Sequence, residues 1–420
     1  MIIQPSSTTP YEDYEDFDHT GPGTLMGRWL RLFWHPVFRS EDLPVGWPKP
    51  IRMLNEDFNL FRTASGAVYM TEPKCPHRRT QLSLGWIEGE TISCRFHGWK
   101  YDARSGQCVE QPAEPQPFCG SVKLRTYPVQ EYLGLIFAYF GEGKAPPMMR
   151  FPTLESADAV IQVASNYFDY NYFANRENDL LHAPFTHRTL DGGAFGARGA
   201  IGMIRSTETR WGFNGMVQMR DGSRITAQYG MPLINHIPGS AAIGADMEMG
   251  VWTEHMSWKL PVDDEHGVQL ALLAAHVPDK NRDKYLQRRA ARAEKLASDG
   301  GKRPSIRETA QAVLAGRVRL DDLGPDDVDP PGLGLVMVQD WVTQAGQGVI
   351  QEDRRKERLG ASDASVVMNR RILRRELQAL AAGLPLKQWE YDAQECAVYP
   401  QGGVSSELKR VEPGKADQPA

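Results

Sequence analysis

Four residues in two short stretches have the types and spacing to hold a metal cluster: Cys75-Pro-His77 and Cys94-Arg-Phe-His97, with sixteen residues between His77 and Cys94. Each stretch offers one thiolate and one imidazole from a tight loop. If both thiolates bind one iron and both imidazoles bind its neighbour, the loops suit a two-iron, two-sulfide cluster. Histidine ligation of that kind lifts the potential above that of all-cysteine clusters. The same donors also suit a structural zinc ion. Finger-type zinc sites, however, pair two cysteines at one end and two histidines at the other. Each loop here is mixed, which favours the cluster.

The residues around these loops extend the pattern: Cys75-Pro-His77-Arg78, then Thr80-Gln-Leu-Ser83, Gly85-Trp86 and His97-Gly-Trp-Lys-Tyr-Asp102. This run resembles the oxygenase component of the Rieske non-heme iron oxygenases, and the resemblance reaches from Met26-Gly27-Arg28 to near Gly383. Arg79 departs from it, since relatives usually carry glycine there. The segment Asp179-Leu-Leu-His182-Ala-Pro-Phe-Thr-His187 resembles the catalytic-iron motif of the same family. Two neutral imidazoles and one carboxylate leave positions on ferrous iron open to dioxygen and substrate. Taken alone, two histidines five apart are weak evidence. Asp179 and His182, three apart, would share one helical face. Pro184 lacks an amide hydrogen and would break or kink that helix, letting His187 swing to the same iron.

By the same resemblance, the third ligand is Asp353, within Gln351-Glu-Asp-Arg-Arg-Lys-Glu-Arg-Leu-Gly360. Glu352 and Asp340 are the substitutes to test. Asp179 is implied as a bridge that hydrogen-bonds iron-bound His182 and a cluster histidine, His77 or His97, of a neighbouring subunit. That arrangement implies a head-to-tail homotrimer, or stacked trimers. Asn175, seven before His182, could face the open side of the iron.

These sites need elements to position them. The 420 residues suffice for two domains, and a net charge of −5 gives no reason to expect nucleic-acid binding. No apolar run approaches ~18 residues and no signal sequence opens the chain, so a soluble, cytoplasmic protein without membrane attachment is expected. Five cysteines do not suggest a disulfide framework. Cys108, Cys119 and Cys396 read as small buried side chains. A G-x-G-x-x-G turn and a second iron–sulfur module are both missing from the sequence, so electrons must come from a separate NAD(P)H-dependent reductase, ferredoxin or both.

The expected fold class is α+β. Residues 1–150 form an all-β cluster domain with an N-terminal arm, and 151–420 a catalytic mononuclear-iron domain with an antiparallel sheet flanked by helices. In the first domain, strands 51–62 and 67–72 flank a turn at Ala64-Ser-Gly66, and 130–140 reads as one apolar strand. Residues 1–23 read as a flexible arm, with a docking tail as the alternative. In the second, a helix spans about 166–181 and the glycines between 192 and 202 read as loop. Strand pairs follow at 216–219 with 225–229 and at 251–260 with 268–276. Residues 281–314 read as basic, solvated helices. A last helix is capped by Ser362 or Asp363 and stopped at Gly383.

The resemblance implies an enzyme that uses dioxygen to oxidise an aromatic acid, in the subgroup of phthalate dioxygenase-like enzymes and aryl O-demethylases. O-demethylation of a methoxyarene is the favoured reading, with ring hydroxylation or dihydroxylation as the alternative. A substrate carboxylate would need a cation, for which Arg198, Arg205, Arg210, Arg220 and Arg224 lie in the expected pocket region. Two rivals are an electron carrier without a second metal and a structural zinc protein.

Overall fold

The computed structural model describes residues 14–178, 183–190, 201–220, 224–237, 248–300, 302–350 and 356–391. Helix α1 (Leu25–Leu30) is capped by Thr24, whose hydroxyl accepts from the Gly27 amide at 3.0 Å. Eleven short strands follow: β1 (Trp34–Arg39), β2 (Lys49–Met53), β3 (Glu56–Arg62), β4 (Val68–Thr71), β5 (Trp86–Glu88), β6 (Thr91–Ser93), β7 (Lys100–Asp102), β8 (Cys108–Glu110), β9 (Thr126–Tyr127), β10 (Val129–Tyr132) and β11 (Leu135–Tyr139). They form the antiparallel sheets β1-β11-β10, β2-β3-β4-β9 and β5-β6-β7-β8.

Two segments read from sequence as single strands are hairpins. The chain reverses at Leu54-Asn55, with φ 52° and 63°, and at Leu133-Gly134, with φ 52° and 81°. Two consecutive positive φ angles give the turn whose twist matches that of the paired strands. Both turns begin with leucine, which hides them from a reading based on turn residues. Burial explains the choice: Leu54 is fully buried in the main core.

The second part of the chain contains β12 (Ala159–Phe168), α2 (Tyr172–Arg176), α3 (Ala183–Thr186), β13 (Ile201–Glu208), β14 (Gly212–Met219), β15 (Arg224–Gly230), β16 (Ile234–Ile237), β17 (Trp252–Pro261) and β18 (Gly267–His276). Helices α4 (Arg282–Asp299), α5 (Ile306–Leu314), α6 (Leu333–Ala345) and α7 (Ala364–Ala381) complete it. The strands build one antiparallel sheet in the order β12-β18-β17-β16-β15-β14-β13. Both expected hairpin pairs are present, and the fold class is α+β.

Side chains alternate across this sheet. Met256, Trp258 and Leu260 of β17 enter the main core, where Trp258 meets the Phe137 ring edge-on at 5.5 Å. Burying a side chain of that size contributes roughly 3 kcal/mol. The opposite face carries Asn235, His255, Ser257 and Lys259, and α2 lies against it: Arg176 donates to the Ile234 carbonyl at 2.7 Å and to Asn235 Oδ1 at 2.6 Å.

Other expectations shift. The helix expected over 166–181 gives way to β12, which runs to Phe168, and to α2, which starts after the Asn171 cap and ends at Arg176. Pro184 sits in the first turn of α3, where no intrahelical amide bond is required of it. Strand β13 includes Gly202, read from sequence as loop. Residues 14–23 are not a free arm: Phe17 is buried and stacks on Phe173 of α2 at 5.1 Å. Helix α4 has no buried residue, as its composition implies. Helix α7 starts after Asp363 and stops before Gly383, whose φ is 64°. No helix among the described residues is long and apolar enough to cross a membrane.

Candidate metal centres

The two Cys/His loops are near copies of one another. In the first, between β4 and β5, the Cys75 amide donates to the Thr80 carbonyl at 2.8 Å and the Arg79 amide to the Cys75 carbonyl at 2.9 Å. In the second, between β6 and β7, Cys94 donates to Trp99 at 2.8 Å and Gly98 to Cys94 at 2.9 Å. The fourth residue after each cysteine has a positive φ, 61° at Arg79 and 73° at Gly98. Arg79 thus adopts the left-handed conformation that glycine takes without strain.

Cys75 and Cys94 are buried, whereas His77 and His97 are half-buried nearer the surface. The two imidazoles lie side by side with centroids 4.7 Å apart, and His77 stacks flat on Trp99 at 4.3 Å. Tyr101 reaches the Cys75 sulfur from β7 at 3.0 Å. Burial pushes the Cys75 thiol pKa up; Tyr101 opposes the rise and nearby Cys94 adds to it. A Cys75 thiolate at this depth would need a bound cation beside it. A buried sulfur pair beneath an outward imidazole pair fits a two-iron cluster, one iron to each pair. Cys108 and Cys119 are free, with sulfurs 3.5 Å apart; Cys108 is buried as expected, and Cys396 lies outside the described residues.

Asp179, His182 and Asp353 also lie outside the described residues. His187 follows α3 and is buried. Its Nδ1 is 2.8 Å from Gln339 Oε1, and Gln339 Nε2 donates to Thr189 Oγ1 at 2.8 Å. His187 Nε2 lies 3.3 Å from Asp340 Oδ1. An imidazole nitrogen and a carboxylate oxygen at this spacing are donors that suit one metal ion, so His187 and Asp340 fit a metal. Among the described residues no three His, Cys, Asp or Glu side chains converge on one ion.

Neighbouring contacts brace this region. Gln344 Oε1 on α6 accepts from Tyr170 at 2.9 Å and from Asn175 Nδ2 at 2.6 Å. Arg370 on α7 grips Glu177 through two bonds of 2.7 and 2.5 Å and also pairs with Glu357. Glu177 stands two residues before Asp179 and Glu357 four after Asp353, so one guanidinium ties the flanks of both segments.

Of the arginines considered for substrate, Arg205, Arg210 and Arg220 are exposed, Arg210 pairs with Glu390, and Arg198 lies outside the described residues. Among the described residues the buried lysine and arginine side chains are Arg176 and Lys259, neither of which the sequence reading singled out. Burial pushes the Arg176 pKa down to about 10 and that of Lys259 down to about 7. The only cue for Lys259 is a lysine within the otherwise apolar Trp258-Lys-Leu-Pro261 strand. A surface cleft of about 500 Å³ lined by Glu208, Arg210, Lys387 and Glu390 shares no residue with these sites. Its charges pair with one another.

Comparison with known proteins adds a family model for the Rieske [2Fe-2S] domain, which matches residues 33–128. The chain is 26% identical over 386 residues to the 5,5'-dehydrodivanillate O-demethylase oxygenase subunit of Sphingobium sp., covering 89% of this chain and 81% of that one. It is 28% identical over 382 residues to the phthalate 4,5-dioxygenase oxygenase subunit of Pseudomonas putida, covering 85% and 84%. The solved complex between oxygenase and ferredoxin in carbazole 1,9a-dioxygenase shares the fold, with a TM-score of 0.59, 18% identity and coverage of 89% and 95%.

Proposed function

Because the chain belongs to the Rieske-type aromatic oxygenases, we propose that it O-demethylates a methoxy-aromatic acid, using dioxygen and electrons from a separate reductase or ferredoxin. The observation that carries this reading is the likeness to an O-demethylase subunit along most of both chains. Cys75 and Cys94 hold one iron of the cluster, and His77 and His97 the other. His182 and His187 hold the mononuclear iron with a carboxylate. For that carboxylate we favour Asp340, which faces His187, over Asp353.

When bound, the cluster supplies single electrons and the mononuclear iron activates dioxygen toward an otherwise unreactive C–H bond. The chain's own residues orient and protect. Gln339 holds the His187 imidazole through Nδ1, Tyr101 donates to a cluster sulfur, and Arg370 anchors the ligand-bearing segments. Asp179 bridges to a cluster histidine of the adjacent subunit in a homotrimer. Residues 1–150 form the cluster domain and 151–420 the catalytic domain of a cytoplasmic enzyme.

Hydroxylation of the methoxy carbon consumes one dioxygen, two electrons and two protons and releases water; the resulting hemiacetal collapses to a phenol and formaldehyde. The alternative, ring dihydroxylation, draws on the phthalate 4,5-dioxygenase likeness. Turnover of iron-loaded protein with a surrogate reductase and a panel of methoxylated and unmethoxylated aromatic acids separates them. A product lighter by one CH₂ unit, with one formaldehyde released, is expected. A product with two added hydroxyls and no formaldehyde overturns the demethylase reading.

A further inference from the structure

Three polar side chains stand in a row on the sheet face that α2 covers. His255, Ser257 and Lys259 occupy alternate positions of β17 and so project to the same side. Ser257 is fully buried, and among the described residues neither its hydroxyl nor Nδ1 of His255 has a hydrogen-bond partner. Lys259 is 7% exposed, and among the described residues its ammonium meets only Gln269 Oε1 of β18. Among the described residues no carboxylate stands within ion-pair distance of it.

The other buried cation is already committed. Arg176 is held by the carbonyls of Ile234 and Gly230 and by Asn235 Oδ1, and Asn235 sits opposite Ser257 in the ladder. Helix α2, which covers this row, also bonds α6 through Asn175 and Gln344 at 2.6 Å, and α6 carries Asp340, which ties this row to the His187 region. A buried ammonium lacking a counter-charge is costly unless an anion joins it, and a free hydroxyl two positions away offers that anion a second donor.

We propose that Lys259 Nζ and Ser257 Oγ form the subsite that receives the carboxylate of the aromatic-acid substrate, holding its ring between this sheet face and the His187–Asp340 side. The inference rests on the oxygenase reading and gives its substrate an anchor that the exposed arginines do not supply.

The test is anaerobic calorimetric titration of iron-loaded protein with methoxybenzoates and their matched primary amides. Wild-type protein is expected to bind the acids about 10–100-fold more tightly than the amides. Lys259→Met is expected to erase that preference, Lys259→Arg to keep part of it, and Ser257→Ala to reduce it severalfold. Visible absorption of the cluster checks folding, and the Arg and Ala variants carry the comparison if Lys259→Met does not load. Equal binding of acid and amide by wild-type protein, or an undiminished acid preference in Lys259→Met, overturns the subsite. Formaldehyde release without acid preference defeats the subsite alone. Acid preference without any oxidised product upholds the subsite and defeats the oxygenase reading.

Discussion

His187 and Asp340 face each other across 3.3 Å, with Gln339 Oε1 2.8 Å from the other nitrogen of the imidazole. The residues come from α3's C-terminal end and from α6, more than 150 positions apart in the chain, so only the fold pairs them.

Asp340→Asn should therefore strip the mononuclear iron while sparing the cluster. The expected result is at least a tenfold loss of affinity for the catalytic iron and loss of product formation. Two irons, acid-labile sulfide and the visible spectrum should remain. Asp353→Asn is the matched control and should keep the third iron. The reverse outcome, with iron lost from Asp353→Asn and retained in Asp340→Asn, would restore the assignment drawn from sequence.

Tyr101 touches Cys75 at 3.0 Å, and a thiolate bound to iron has no hydrogen, so the tyrosine hydroxyl must donate. Burial pushes the Tyr101 pKa upward, with Cys75 adding to the rise, which keeps that hydrogen in place. A donor on a cluster sulfur stabilises the more negative, reduced state. Tyr101→Phe should lower the reduction potential by on the order of tens of millivolts without changing iron content. Spectroscopic redox titration measures this, and a merely structural role would leave the potential unmoved.

How much of this was legible depended on where the information lay. The cluster loops were readable because their ligands, turns and spacing are local: Cys75 with His77, Cys94 with His97. The β14–β15 pair was readable from the Asp221-Gly222 sequence between its strands, and β17–β18 as a second pair of strands. The hairpins at Leu54-Asn55 and Leu133-Gly134 were not, because a leucine took the turn position for the sake of the core. Phe17 looked like part of an acidic arm until the α2 surface was there to bury it. Lys259 was invisible because its burial arises from β16, β18 and α2 together. Asp353 drew attention through the family resemblance of its segment, while Asp340 depends on which face α6 turns toward α3.

Arg79 offers a stability test of the first loop. Its φ of 61° costs an L-residue roughly 1–2 kcal/mol, against about 0.5–1 kcal/mol of extra chain entropy that glycine would lose. The exposed Arg79–Glu72 contact at 3.5 Å contributes little. Arg79→Gly should thus stabilise the protein by about 0.5 kcal/mol, seen as a small rise in the temperature at which the cluster bleaches. A fall would mean that the arginine side chain has a role its contacts do not reveal.

On the opposite sheet face from Lys259, Glu254 is buried between His236 at 2.9 Å and His276 at 2.8 Å, and His276 also meets Asp158 at 3.2 Å. Burial alone would raise the Glu254 pKa, but bonds from the two histidines outweigh it and bring it down to about 2. Burial likewise favours neutral His276, yet Glu254 and Asp158 outweigh that and raise its pKa above 6.5. A depressed acid stabilises the fold above its unfolded value of 4.5 and loses that contribution as pH falls toward about 2. A raised histidine contributes fully below 6.5 and loses its share as pH rises through the folded value. Stability from this cluster should therefore be greatest between 4.5 and 6.5 and decline on both sides. Glu254→Gln should cost roughly 3 kcal/mol near the top of that window, and the deficit should shrink as the solution is acidified. Thermal unfolding followed across the pH range checks it: a deficit that stays constant with pH would show that Glu254 acts through packing alone.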